Sequence, residues 1–370
     1  PYTPSDPDLI VERLPRMPLR PSTSDRLGAS VASVRQARAD ALAYLALAQR
    51  SGDARYLGYA QGVLLPWRDA EPLPTELLLP KAMVEQARHD FTAALQTLDR
   101  LLSQEPGNAQ AWLTRSVILQ VTGRPDAARA SCRRLTGHVS LLIRTACAAG
   151  AARLTGEVSE AYRSLLGAIG NATAADGSDG ITWALMVLSD VAEASGDRET
   201  AGESLHQAVQ RAPEDVRPRI AYADFLLRQG NAVEVLELIP HDTIAPMLVM
   251  RRALAAKRLG HPTLNDLSAR LQAHFRAAEQ RGDELHRREA GLANLRLFGQ
   301  PDRALSLAQR NWQSQREFAD AHLLLAAALA NQDRQAAQPV LQWLRRQQTA
   351  DARLLGLVEA LERREARDGA

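Results

Sequence analysis

The sequence predicts an all-α protein, a right-handed α-solenoid of about nine stacked helix–turn–helix units. Three observations carry this. Apolar residues recur at spacings of three and four over segments such as Val31 to Leu47, Leu113 to Val121, Ile181 to Val191 and Ala321 to Leu329, which is the period of a helix with one buried face. No stretch alternates β-branched and polar residues, and no Asn-Gly turn occurs, so strands and hairpins have no signal. Short polar turns return at a near-constant interval. Marked at Gly52, His89, Gly123, Gly156, Gly196, Gly230, Gly260, Gly299 and Asp333, they are spaced 37, 34, 33, 40, 34, 30, 39 and 34 residues apart. A period near 35 marks a repeat array. One hairpin cannot bury its own apolar face; stacking neighbours makes a continuous core.

Taken in chain order, residues 1–24 stand apart. They hold Pro1, Pro4, Pro7, Pro15, Pro18 and Pro21, six of the chain's 19 prolines. Proline lacks an N–H and fixes φ, so this segment is predicted to be an extended arm. Leu9, Ile10, Val11, Leu14, Met17 and Leu19 make it apolar enough to lie on the body of the protein. Ser24 and Asp25 read as the N-cap of the first helix. The array is expected over residues 25–350. "GNATAADGSDG" at 170–180 reads as a loop insertion and accounts for the spacing of 40. Residues 351–366, within a final segment 351–370, are expected to form a charged helix whose polar face caps the stack.

The residues around the turns extend the pattern. Trp112, Ser116, Gly123, Ala128 and Cys132 follow one another in an order large, small, turn, small, small. The preceding unit runs Leu78, Ala82, Phe91, Ala94, Leu98 and Pro106, and "QEPGNAQAW" joins the two. Gly196, Ala201, Leu205, Ala208 and Pro213 lead to Tyr222, Ala223 and Gly230; Gly299, Ala304, Leu307 and Ala308 repeat the order. This resembles the bacterial tetratricopeptide repeat (TPR) proteins over about residues 26–349, most specifically over 75–235. The small residues have a physical reason: the helices of each hairpin cross closely there.

Composition narrows the function classes. The 370 residues carry 45 basic and 43 acidic side chains, a net charge of +2, with 24% charged and 4% aromatic. Interleaved charge of this kind weighs against a polyanion binder. Abundant Leu, Ala and Val exclude disorder of the whole chain. No run of about 18 apolar residues exists to span a membrane. Lys81 and Lys257 are the only lysines; the Arg and Ala bias reads as a GC-rich genome.

No phosphate loop, zinc-protease helix, nucleophile elbow or paired CxxC occurs. Neither an enzymatic activity nor a cofactor is expected. The eight histidines are dispersed, and the nearest approach to ligand spacing is His286 with Glu289, read as a solvated helix face rather than a metal site. By the repeat register, Cys132 lies on the second helix of one unit and Cys147 on the first helix of the next. Those helices pack together. The pair is therefore either a disulfide stapling two units, which an oxidising compartment permits, or two small buried thiols.

The resemblance implies that the first helix of each unit lines a concave groove. Trp183, Arg217, Asp224 and Arg228 form the expected protein-binding patch there, since Trp and Arg are frequent hot-spot residues. The bland reading has Trp183 packing on the 170–180 loop and the arginines pairing with nearby acids. Chaperone-binding members of the family use a Lys/Asn/Arg clamp. Gln110, Leu113, Val117, Ile143, Ala146 and Gly150 stand at the matching positions, so that activity is not expected. "QWLRRQQ" at 342–348 and "RREARD" read as solvated helix faces. Trp67, Phe275 and Trp312 read as core.

The functional expectation is an interaction scaffold that binds a peptide or partner protein in the concave groove. The alternative is a self-associating structural component of an envelope assembly, a homo-oligomer with the Pro-rich arm of one chain in another's groove. Nucleic acid is not expected as a partner, because Asp190, Glu193, Asp224 and Glu289 interrupt the groove's positive charge. The start at Pro1, without Met, is read as the product of leader removal, which predicts a periplasmic or otherwise exported protein; a trimmed, cytoplasmic protein is the alternative.

Overall fold

The structure is a computed structural model. It describes residues 31–368 except 154, 156, 283, 284 and 348–350. The expected arm at 1–24, the Ser24–Asp25 cap and the turn marker Gly156 lie outside the described residues. Among those residues, every regular element is helical. Nine hairpins follow one another: α1 (Val31–Ser51) with α2 (Arg55–Leu64), α3 (Thr75–Ala87) with α4 (Phe91–Gln104), α5 (Ala109–Val121) with α6 (Pro125–Arg133), α7 (Leu141–Ala152) with α8 (Val158–Gly170), α9 (Ser178–Ala194) with α10 (Arg198–Arg211), α11 (Val216–Gln229) with α12 (Ala232–Leu238), α13 (Pro246–Leu259) with α14 (Leu264–Gln280), α15 (Arg287–Arg296) with α16 (Pro301–Ser314), and α17 (Phe318–Ala330) with α18 (Arg334–Gln347). A last helix, α19 (Ala352–Asp368), packs on α17.

The turns explain why the chain breaks where it does. Gly52, Gly123, Gly196, Gly230, Gly260 and Gly299 are left-handed. His89 (φ 62°) takes the same conformation in the second hairpin. In the ninth hairpin the left-handed residue is Gln332 (φ 57°), one position before the expected Asp333. Asp333 instead starts the next helix, where its carboxylate accepts the N–H of Ala336 at 3.0 Å and caps α18. Asp90, Asn108 and Asp197 cap α4, α5 and α10 in the same way. A short polar acceptor satisfies an orphan donor of the first turn and fixes each helix start. Of the expected 170–180 insertion, residues 171–177 form the link, with a single 3-10 turn at Ala174–Asp176, while Gly170 ends α8 and Ser178, Asp179 and Gly180 already belong to α9.

Small residues sit where the paired helices cross. Ala82 and Ala94 are fully buried across the α3–α4 crossing, and Ser116 and Ala128 across α5–α6. Ser116 donates its hydroxyl to the Ala128 carbonyl at 3.2 Å, which keeps that buried oxygen satisfied. The apolar core is a chain of clusters rather than one centre. Leu78, Leu98 and Ile118 form one, Leu142, Leu165 and Leu185 another, and Leu324, Leu341 and Trp343 a third. Trp67 buries against Val34, Ala37 and Leu77. Trp312 is core, and Phe275 packs against the Leu267–Leu271 cluster.

Each first helix packs on the next first helix, so α1, α3, α5 and their successors form a continuous inner row. The row does not stay open. α1 touches α11. The Arg316 N–H donates to the Val121 carbonyl at 2.7 Å. The side chain of Gln315 donates to Nδ1 of His89 at 2.7 Å, across 226 residues of sequence. A Cβ added at Gly123 (φ +71°) would lie 2.9 Å from the Trp343 indole nitrogen and 3.1 Å from Arg316 Cβ. Hairpin turns of the early units thus abut the late units, and the solenoid closes on itself along a seam. The sequence pattern predicts a curved, open stack; the seam is a tertiary addition to it.

Candidate functional site

The inner row carries two sets of charged groups. One is a part-buried ionic knot where the seam meets the inner face. The capping box of α17 supplies its anions, because the Glu317 and Asp320 side chains each accept the other's main-chain N–H. Arg288 on α15 reaches both, with Nε 2.6 Å from Asp320 and Nη2 2.6 Å from Glu317. Nη2 also lies 2.8 Å from Gln315 Oε1. Asn311 donates to Asp320 at 2.7 Å. Arg153, at the end of α7, bonds Asp190 of α9 and lies 3.7 Å from Glu317. Burial alone would raise the Glu317 carboxyl; Arg288 and Arg153 together hold it below the usual carboxylate range. His89 completes the set. Burial, with Arg288 nearby, pushes its imidazole down to about 4 against the opposing pull of Glu289. That agrees with an Nδ1 accepting the Gln315 amide N–H.

The other set lies on α11. Asp224 and Arg228 follow Arg217 by seven and eleven residues, two and three helical turns, so the three share one face. Each has a partner in its own chain. Asp215, the N-cap of α11, accepts the Arg217 main-chain N–H at 2.9 Å and its Nε at 3.0 Å. Arg251 of α13 forks onto Asp224 at 2.9 and 2.6 Å. Arg228 forks onto Glu193 of α9 at 2.9 and 2.8 Å. Burial disfavours charge on Arg251, but Asp224 more than offsets it, and its pKa lies above the ordinary arginine value. Arg217 and Arg228 stay 50% and 41% exposed, and neither uses Nη1 among the described residues.

Trp183 sits elsewhere. It is half-buried on the first turns of α9, against the cluster of Cys132, Leu135 and Cys147 and against the cluster that holds Leu142 and Leu185. Cys132 and Cys147 form a disulfide, S–S 2.02 Å, which links α6 to α7. Their surroundings are closed: Cys132 and Cys147 are both buried, and Ser116 Oγ lies 3.1 Å from the Cys132 sulfur. Glu289 is buried rather than on a solvated face, and the His286 ring lies 5.8 Å from that of His274. Among the described residues, no three His, Cys, Asp or Glu side chains converge to hold a metal. No described helix is long and apolar enough to cross a membrane.

A cleft of about 560 Å³ lies between α16 and α18, with Leu324 of α17 behind them. Its lining was legible only as separate stripes. Gln309 and Gln313 lie one turn apart on α16 and Arg316 follows just past its end, while Gln335, Pro339, Gln342 and Arg346 follow helical spacing on α18. Only the packing turns the two stripes toward each other. Gln342 and Arg346, inside the "QWLRRQQ" stretch, are cleft walls, while Trp343 between them is core.

A model of the tetratricopeptide repeat matches residues 79–138. No curated protein sequence matches the chain. Among solved structures, the fold is similar to the crystal structure of the APC/C hetero-tetramer Cut9-Hcn1 at a TM-score of 0.50 and 14% identity, over 88% of this chain and 62% of that one. The chain thus spans less than two thirds of that neighbour's length. It is also similar to yeast Tom70, at a TM-score of 0.41 and 13% identity, over 91% of this chain and 82% of that one. Nineteen helices among the described residues, in stacked hairpins, make this an all-α helical repeat solenoid, similar to the tetratricopeptide repeat over residues 79–138.

Proposed function

We propose that the protein is an interaction scaffold that holds an extended peptide segment of a partner protein along α11 on its inner face. The observation that carries this is the single stripe of Arg217, Asp224 and Arg228. The outer arginines are separated by three helical turns, about 16 Å, which an extended peptide of about five residues covers. Each keeps a free Nη1 edge and substantial exposure. Their intramolecular acids hold the guanidinium planes in place before a partner arrives, which lowers the ordering cost of binding. Trp183 enters this reading only through its exposed edge. The buried disulfide supports residence in an oxidising compartment, in keeping with an exported protein.

The test is affinity capture of partners from envelope and cytosolic fractions, using the wild type and an Arg217→Ala/Arg228→Ala variant. A partner held by wild type and lost by the variant, with the variant still folded by far-UV circular dichroism at the capture temperature, supports the reading. A partner held equally by both places binding elsewhere on the scaffold.

A further inference from the structure

We propose a second, separate site: the cleft between α16 and α18 binds an acidic peptide segment, and it does so only while the solenoid is closed. It lies between second helices, away from the α11 stripe, and stands whether or not that stripe binds anything.

The cleft is polar on its walls and apolar at its base. Arg316 and Arg346 are exposed, and among the described residues neither guanidinium has an ion-pair partner. Among the described residues, no carboxylate lines the cleft. Arg129, Arg153, Arg217, Arg228, Arg251 and Arg288, by contrast, carry acids of their own. Two unneutralised guanidinium groups facing one space make a site for carboxylates. The volume falls within the range of ordinary ligand pockets.

The remaining chemistry selects a peptide among anions. Gln309, Gln313, Gln335 and Gln342 each offer both a donor and an acceptor, which matches main-chain amides. Pro339 lies inside α18 and has no N–H for the carbonyl of Gln335, one turn earlier. That leaves a main-chain acceptor for a peptide N–H on the same wall. Trp312 and Trp343 meet edge to face, 5.4 Å apart, and are each 6% exposed. Buried rings offer no platform for stacking bases, which nucleic-acid grooves use.

The seam abuts the cleft at two of its lining residues, Arg316 and Trp343. Arg316 is fixed by its main-chain N–H on Val121, and the Gly123 turn lies against both Arg316 and the Trp343 indole. The early units therefore orient one of the two guanidinium groups. Opening the solenoid removes that support.

The test is fluorescence anisotropy with a labelled octapeptide of alternating Glu and Leu, against a Gln-Leu octapeptide of the same length. The wild type should bind the acidic peptide more tightly. Arg316→Gln/Arg346→Gln should weaken it about tenfold with no change in melting temperature, since both side chains are exposed and unpaired. Gly123→Val, which breaks the seam, should weaken it as well. Equal binding of the two peptides, or an unaffected double variant, overturns the site. Equal or stronger binding of a thymidylate octamer or a heparin octasaccharide that is also lost in the double variant overturns the peptide assignment. Full affinity in a Gly123→Val protein shown open by small-angle scattering overturns the dependence on closure. The α11 capture experiment uses different residues, so failure of one reading leaves the other intact.

Discussion

The main-chain N–H of Arg316 donates to the Val121 carbonyl at 2.7 Å, joining the end of the third unit's first helix to the link between the eighth and ninth units. A helix C-terminus carries carbonyls without helical donors. Here a distant segment supplies one, so the seam is completed by a bond that the helix end needed in any case.

Gly123 is the residue on which this contact turns. Valine there would meet Trp343 and Arg316 within 3.2 Å and would be forced to a positive φ. The expected loss is about 1–3 kcal/mol of stability, with a larger radius of gyration by small-angle scattering. Gly196→Val serves as the control. Its φ is also positive, but no atom lies within 4 Å of the added Cβ, so it should lose stability without expansion.

The knot should be intolerant of a missing partner. Arg288→Leu leaves the buried Asp320 beside the part-exposed Glu317, and stranding a buried carboxylate in this way costs up to about 3–5 kcal/mol. Chemical denaturation should show the midpoint falling. Adding Asp320→Asn in the same chain should recover part of the loss, because one stranded charge is removed.

Acid should loosen the seam in two separable steps. His89 is held at about 4 in the folded chain, below an unfolded value near 6.5. The unfolded chain then binds more protons between those values, so stability falls as pH drops from about 6.5 to 4, by up to about 3 kcal/mol. Glu317, held low by arginines, loses its contribution below that window. His89→Asn keeps a residue tolerant of the left-handed turn and should flatten the upper step alone. Melting temperature against pH for both proteins checks this.

Reduction should destabilise the fourth unit's junction. The Cys132–Cys147 bridge closes a 15-residue loop, and a loop of that length contributes about 3 kcal/mol in the chain-entropy account. Cys132→Ser/Cys147→Ser should match the reduced wild type in thermal unfolding. A thiol-alkylation mass shift in protein taken from its native compartment reports whether the bridge forms there.

How much of this was legible depends on the range of the physics. The hairpin turns could be read from single residues, because a left-handed position favours Gly and the helix start beside it favours Asp or Asn. Asp333 shows the limit of that reading: it marks the ninth turn but caps the helix, and Gln332 carries the strained φ. The α11 stripe was readable as residue types at helical spacing. Its partners in other units were not, since Glu193 and Arg251 come from neighbouring units and only stacking brings them to Arg228 and Asp224. Arg316 and Trp343 gave no signal of a shared cleft.

The sequence by itself determined a helical array of nine hairpins, their turns and the small residues at their crossings, because these rest on interactions within about 40 residues of chain. Tertiary structure alone decided that the array closes, that Gln315 meets His89, and that two polar stripes face one another. Small rotations between units accumulate along a solenoid, and where its edges meet depends on their sum rather than on any one repeat.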